Sequence, residues 1–225
     1  MRPSARDTSR PAGGVGQLAV PRRARHPAGV GPHADLHQEL PRCGIPDAYG
    51  SWRAYADYVE MLVATRSISE FTQLWWSVRP HHAFGTVEVR ITDAQTSAED
   101  SSALAALIAS CVVQAAIDHD EGAPFTPLPG RMLEENLWRA IRFGLDGRMI
   151  DLDVGEELPV GAQVERLLEW CGSARATIGS DPALPAENGA QRQRRALRAG
   201  GALADVLAAE VVTTEQSYSA QEVRT

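Results

Sequence analysis

Residues 86–92, TVEVRIT, alternate polar with β-branched apolar side chains without a break. A period of two is the pattern of a strand with one face buried. It separates Val87, Val89 and Ile91, directed at a core, from Thr86, Glu88, Arg90 and Thr92 on the opposite face. Glu88 and Arg90 therefore leave the strand side by side. A carboxylate in that position can hold a hard cation, and a guanidinium can grip phosphate or carboxylate through two parallel hydrogen bonds. The same pair also fits a solvated ion pair on an ordinary sheet face, which contributes little.

The flanking sequence predicts what this strand pairs with. Residues 74–78, LWWSV, read as a short aromatic strand ended by Pro80, and 85–92 as the second strand. Only His81, His82, Ala83 and Phe84 lie between, which suits a tight connection, so the two strands pair. Adjacent histidines point to opposite sides of an extended chain and do not share a metal ion.

The rest reads as helix. Ser51 is placed to cap a helix over 52–65, with Trp52, Tyr55, Val59 and Leu62 at helical spacing. Ser97, followed by Glu99 and Asp100, opens a helix over 97–119. Its apolar stripe is Leu104, Leu107, Ile108, Cys111, Val112, Ala115 and Ala116, a core face. Residues 122–129, with three prolines, are a loop. Residues 131–146 are helical to about Phe143, with Leu133, Leu137, Ile141 and Trp138 toward the core and Gly144 as C-cap. Glu135, Arg139 and Arg142 occupy another side and fit a solvated ion pair. Further helices are expected over Val160–Trp170, 191–198 and 202–211. The basic run 191–195, QRQRR, reads as a solvated helix face. Helices with a few short antiparallel strands make the class α+β.

Composition excludes several functions. All 22 basic residues are arginine. Six of them against two aspartates give residues 1–35 a charge of +4, so the remainder carries −11 of the total −7. An acidic body argues against nucleic-acid binding. No uninterrupted apolar run approaches the ~20 residues that span a bilayer. The Pro-, Gly- and Arg-rich start has no apolar segment of a secretory signal and is expected to be disordered. Cys43, Cys111 and Cys171 are few and far apart, which argues against a disulfide framework and for a reducing cytoplasm. Neither GxxxxGK[ST] nor GxGxxG, HExxH or GxSxG occurs.

Three stretches taken together are more specific. WWSVRPHHAFGTVEVRITDAQTS, ENLWRAIRFGLDG and NGAQRQRR, in this order, resemble the carboxylate-amine ligase family, also called glutamate–cysteine ligase type 2. PRCGIPDAYGSW, near the start of the ordered part, resembles it too. The likeness covers about residues 36–215 and looks like the C-terminal half of that family's domain, with 216–225 a flexible tail and 1–35 unrelated to it. It implies a partial glutamine-synthetase-like fold and a two-step ligation dependent on ATP and Mg2+. A glutamate carboxylate is phosphorylated, and the acyl phosphate is then attacked by the amine of cysteine or another amine. The resemblance makes Glu88 a magnesium ligand, Arg90 a catalytic and nucleotide-phosphate contact, and Arg79 a second catalytic candidate. Glu135, Asn136, Trp138, Arg139 and Arg142 match a helix expected to pack on the active-site sheet. One glutamate cannot build the metal site alone, so the chain is expected to be weak or inactive by itself. The competing expectation is a non-catalytic helical protein-interaction module. Small molecules are the expected partners, with no nucleic acid and no membrane; a homo-oligomer is left open.

Overall fold

The structure is a computed structural model that describes residues 42–81 and 83–219. The expectation of disorder over 1–35 lies outside these residues. The described residues are α+β: helices and three two-stranded sheets.

The first region runs from Arg42 to Ile91. Strand β1 (Cys43–Gly44) precedes helix α1 (Trp52–Ala64), whose first turn is capped by Ser51 Oγ accepting from Ala54 N at 3.2 Å. One face of α1 buries Tyr55, Val59 and Leu62 against Ile68, Leu74 and Trp76. Tyr49, Tyr58 and Phe71 close the rim of this aromatic core.

The expected strand over 74–78 is in fact two. Strand β2 (Trp75–Trp76) pairs with β1, and the pair is parallel rather than antiparallel. Strand β3 (Val78–His81) pairs antiparallel with β4 (Thr86–Val89). Ser77 is the joint: its N–H donates to Gly44 O, and its carbonyl accepts from Arg90 N, both at 2.7 Å. Pro80 lies inside β3, opposite Val87, and does not end the strand. The ladder explains why it is tolerated. Since Arg90 N bonds to Ser77 O, the bonded pairs are Ser77/Arg90, Arg79/Glu88 and His81/Thr86. The alternate pairs, Val78/Val89 and Pro80/Val87, turn their backbone groups outward, where a missing N–H breaks no ladder bond.

The burial expected for the strand holds only in part. Ile91 is buried and Val89 half-buried, but Val87 is 48% exposed. Among the described residues nothing forms a second layer on the Val87 side of this ribbon, so alternation there does not produce a core.

The second region is helical. Helix α2 (Ala98–Asp120) starts at Ser97, whose Oγ accepts from Asp100 N at 3.0 Å. Its buried stripe is Ala103, Leu107, Ser110, Cys111 and Gln114, while Leu104, Ile108 and Val112 are half-buried and Ala116 is exposed. The stripe is rotated toward the side that bears Ser110 and Gln114, because these carry hydrogen bonds across the interface. By length and composition α2 could cross a membrane. Yet Gln114 Oε1 accepts from Ala174 N at 3.1 Å and Asp118 accepts from Trp170 Nε1 at 2.8 Å, contacts of a core helix.

Helix α3 (Gly130–Phe143) ends at Gly144, at φ 63°, as expected. A hairpin of β5 (Arg148–Asp151) and β6 (Glu156–Pro159) follows. Then come α4 (Val160–Trp170), a short α5 (Gly172–Ile178), α6 (Gly189–Arg198) and α7 (Leu203–Ser219). The fully buried thiols of Cys111 and Cys171 meet between α2 and the α4–α5 junction, among Leu107, Leu167, Leu168 and Leu184. Burial, and then the neighbouring Cys171, push the Cys111 thiol up to about 12. Residues 216–219, expected in the tail, are helical; 220–225 lie outside the described residues.

The run 191–195 is more than a solvated face. Arg192 pairs with the buried Asp100 of α2, Arg194 with Asp146 at 3.4 Å and Arg195 with Glu187 at 2.8 Å. Helix α6 is thereby fastened to its neighbours, and its start is fixed by a capping box between Asn188 and Gln191.

Candidate functional site

The β3–β4 register puts Arg79 directly opposite Glu88, so the two share a face, and Arg90 follows two residues on. The three sequence candidates therefore meet. Arg79 Nε donates to Glu88 Oε2 at 2.8 Å, and Arg79 Nη2 lies at 2.8 Å from the same oxygen. Arg90 Nη1 pairs with the other oxygen, Oε1. Burial alone would raise the Glu88 carboxyl, but the hydrogen bonds and charges of Arg79 and then Arg90 outweigh it and hold the group below the usual carboxylate range.

The two arginines differ in what they can do. Arg79 is 5% exposed, and its Nη1 donates to Leu74 O at 2.7 Å and to Thr72 O. Nearly all its donors face inward, to the turn before β2 and to Glu88. The Arg90 side chain is 41% exposed, with one contact to Glu88. Arg90 can reach a ligand, whereas Arg79 holds the strand that presents it. His81, on the same face, is stacked on Phe84 with centroids 4.5 Å apart and lies edge-on to Phe71 at 5.1 Å. Its Nδ1 is buried without a hydrogen-bond partner. His82 lies outside the described residues.

Two guanidinium groups around one carboxylate leave a net positive charge, the character of an anion site. A magnesium centre fits poorly. Both Glu88 oxygens are taken by guanidinium groups, and among the described residues no group of three His, Cys, Asp or Glu side chains converges. This geometry suits Glu88 as the clamp between two arginines better than as a metal ligand.

The second family-like stretch lies elsewhere. Asn136, buried in α3, accepts from Ile150 N and donates to Ile150 O, each at 2.8 Å. The helix thus packs on β5, not on the hairpin that bears Glu88. Arg139 bonds Glu135 at 3.0 Å and reaches across to Glu157, which ties α3 to β6. Trp138 stays 40% exposed, edge-on to Phe143 at 5.7 Å, and Arg142 lies 5.6 Å over that ring. None of these side chains joins the Arg79–Glu88–Arg90 row. Sequence reasoning passed over Asn136 as a structural bridge. Its signal was an amide among Leu133, Leu137 and Ala140 on the inward face.

The sequence model described as glutamate-cysteine ligase family 2 matches residues 34–215. The chain belongs to that family. A relative from Solibacter usitatus, provisionally named glutamate–cysteine ligase 2, is 34% identical over 187 residues, covering 80% of this chain and 49% of its own length. A relative from Sorangium cellulosum with the same name is 36% identical over 167 residues, 74% of this chain and 43% of its own. One from Rubrobacter xylanophilus is 37% identical over 137 residues, 61% and 36% respectively. The chain thus spans about half, or less, of the curated relatives it matches. The stretch with the clamped Glu88 and the α3 motif both fall inside the family match.

Proposed function

We propose that this chain supplies part of an ATP-dependent carboxylate-amine ligase of the glutamate–cysteine type. In that reaction a glutamate carboxylate oxygen attacks the γ-phosphorus of ATP and ADP leaves. The amine of cysteine, or another amine, then attacks the acyl carbon, phosphate departs and the amide nitrogen loses a proton. Charge accumulates on phosphate oxygens in both steps, and a fixed guanidinium stabilises it there. Arg90 is the residue suited to that contact. Glu88 orients it, and Arg79 acts through Glu88 as a positioning residue. The carrying observation is the row Arg79–Glu88–Arg90, buried at one end and open at the other.

Magnesium would enter with the nucleotide, and a glutamine-synthetase-like sheet would supply further carboxylates; the described residues alone do not fit the ion. Little or no ligation by the chain in isolation follows from this. The free thiols of Cys43, Cys111 and Cys171 suit a reducing cytoplasm.

Calorimetry with ATP, with and without magnesium, on the chain and on Arg90→Ala tests the reading. A charge-assisted contact contributes roughly 1.5–3 kcal/mol, so the variant should bind about ten- to a hundredfold more weakly. A folded chain that binds no nucleotide, or an Arg90→Ala variant that binds as well as its parent, would sink it. The other reading, a non-catalytic interaction module, is favoured by α7, which turns Leu203, Leu207 and Val211 to solvent.

A further inference from the structure

The strand region contains an unpaired edge of a particular kind. β3 and β4 form a sheet of their own, and the ladder derived above turns the backbone N–H and C=O of Val87 and Val89 away from β3. Among the described residues neither of these has a backbone hydrogen bond outside the hairpin. The opposite edge is protected: Pro80 has no N–H to offer there, a common way of closing a strand edge. The β4 edge, where both outward residues keep their N–H, is thus the more complete template for a further strand.

The side chains beside that edge are also uncovered. Val87 is 48% exposed and Phe84, at the turn, 74%. The parallel pair β1–β2 is only two residues long on each strand. Parallel strands normally lie within larger, covered sheets. Relatives carry about as much chain again outside the match, with 49% of the Solibacter usitatus protein aligned.

We propose that the outer edge of β4 receives a strand from the part of the ligase domain that the relatives carry outside the matched region, and that this chain can accept it as a separate polypeptide. The incoming strand pairs its main chain with Val87 and Val89. It sets apolar side chains against Val87 and polar ones beside Glu88 and Arg90, because strand faces alternate. The inference rests on family membership and on the ladder, and it needs no ligase activity to be read.

The test mixes the full chain with the part of the Solibacter usitatus relative outside its match, made as its own polypeptide. Complex formation is followed by sedimentation, and amide exchange is read at Val87 and Val89. The expected result is a one-to-one complex in which these two amides become protected. In Val87→Pro and Val89→Pro the lost N–H points outward, so the hairpin ladder is kept while the docking bond is removed. Each should weaken the complex by about tenfold, the order of one main-chain hydrogen bond. Circular dichroism of the variants checks that they fold. If they do not, protection of the two amides in the parent chain decides the matter. No complex, a complex without protection at these amides, folded proline variants that bind like the parent, or protection that arises from pairing of two copies of this chain would each overturn the proposal.

Discussion

In the helical region, buried polar side chains join one element to another; in the strand region they stay within the hairpin and the turn before it. Asp100 receives Arg192 from α6, Asn136 holds β5, and Gln114 meets the backbone of α5. Arg79, by contrast, links Glu88 to the carbonyls of Thr72 and Leu74, all within the single stretch 72–88. The helical region is therefore cross-braced, and the strand region depends on one hub and an aromatic core. The lesson is that the part carrying the candidate chemistry is also the part with the fewest supports.

The sharpest way to probe that contrast is Asn136→Ala. It strands the N–H and C=O of Ile150 under α3, and the loss should be about 2–4 kcal/mol in urea unfolding, with helical signal falling as one transition. Arg79→Ala should cost about 2–3 kcal/mol by uncoupling Glu88 and two carbonyls. Its effect should show first in near-ultraviolet dichroism from Tyr49, Tyr58 and Trp76, with helical content retained in mild urea. Coincident loss of both signals would mean that the two regions are one cooperative unit.

Acid gives a third, smaller probe. Glu88 and Asp151 both sit below the ordinary carboxylate range: burial raises each, but Arg79 and Arg90, or Arg166, outweigh it. The unfolded chain then binds protons more readily, so stability present above pH ~4 is lost as pH falls through the folded values. Glu88→Gln should flatten the acid response of the near-ultraviolet signal and leave the helical one unchanged. Smallest of all, Arg53→Ala should shift stability by under about 0.5 kcal/mol, because its i,i+4 partner Asp57 is exposed like itself. A larger shift would show that α1 relies on its surface.

What the sequence revealed was local. Ser51 and Ser97 announced their helices, Gly144 its C-cap, and Val160–Trp170 its full extent. The alternation over 86–92 identified the strand and set Glu88 beside Arg90. Register was not legible, since it depends on where the turn closes; reading Pro80 as a stop hid the Arg79–Glu88 pair. The β5–β6 hairpin was missed because Glu156 and Glu157 mask its alternation, although Gly155, at φ 77°, marked the turn. The rotation of α2 came from Ser110 and Gln114, whose partners lie about 60 or more residues away.

The buried thiols have a use in measuring time. Cys111 and Cys171 lie at the centre of the helical region, and the Cys111 thiol, pushed up to about 12, holds almost no reactive thiolate at neutral pH. A thiol reagent can modify them only when that region opens. Cys43, half-buried at the parallel strand pair, is within reach of reagent without such opening. The chain thus carries a chemical clock and a reference: labelling of Cys111 and Cys171 relative to Cys43 measures how often the helical region comes apart.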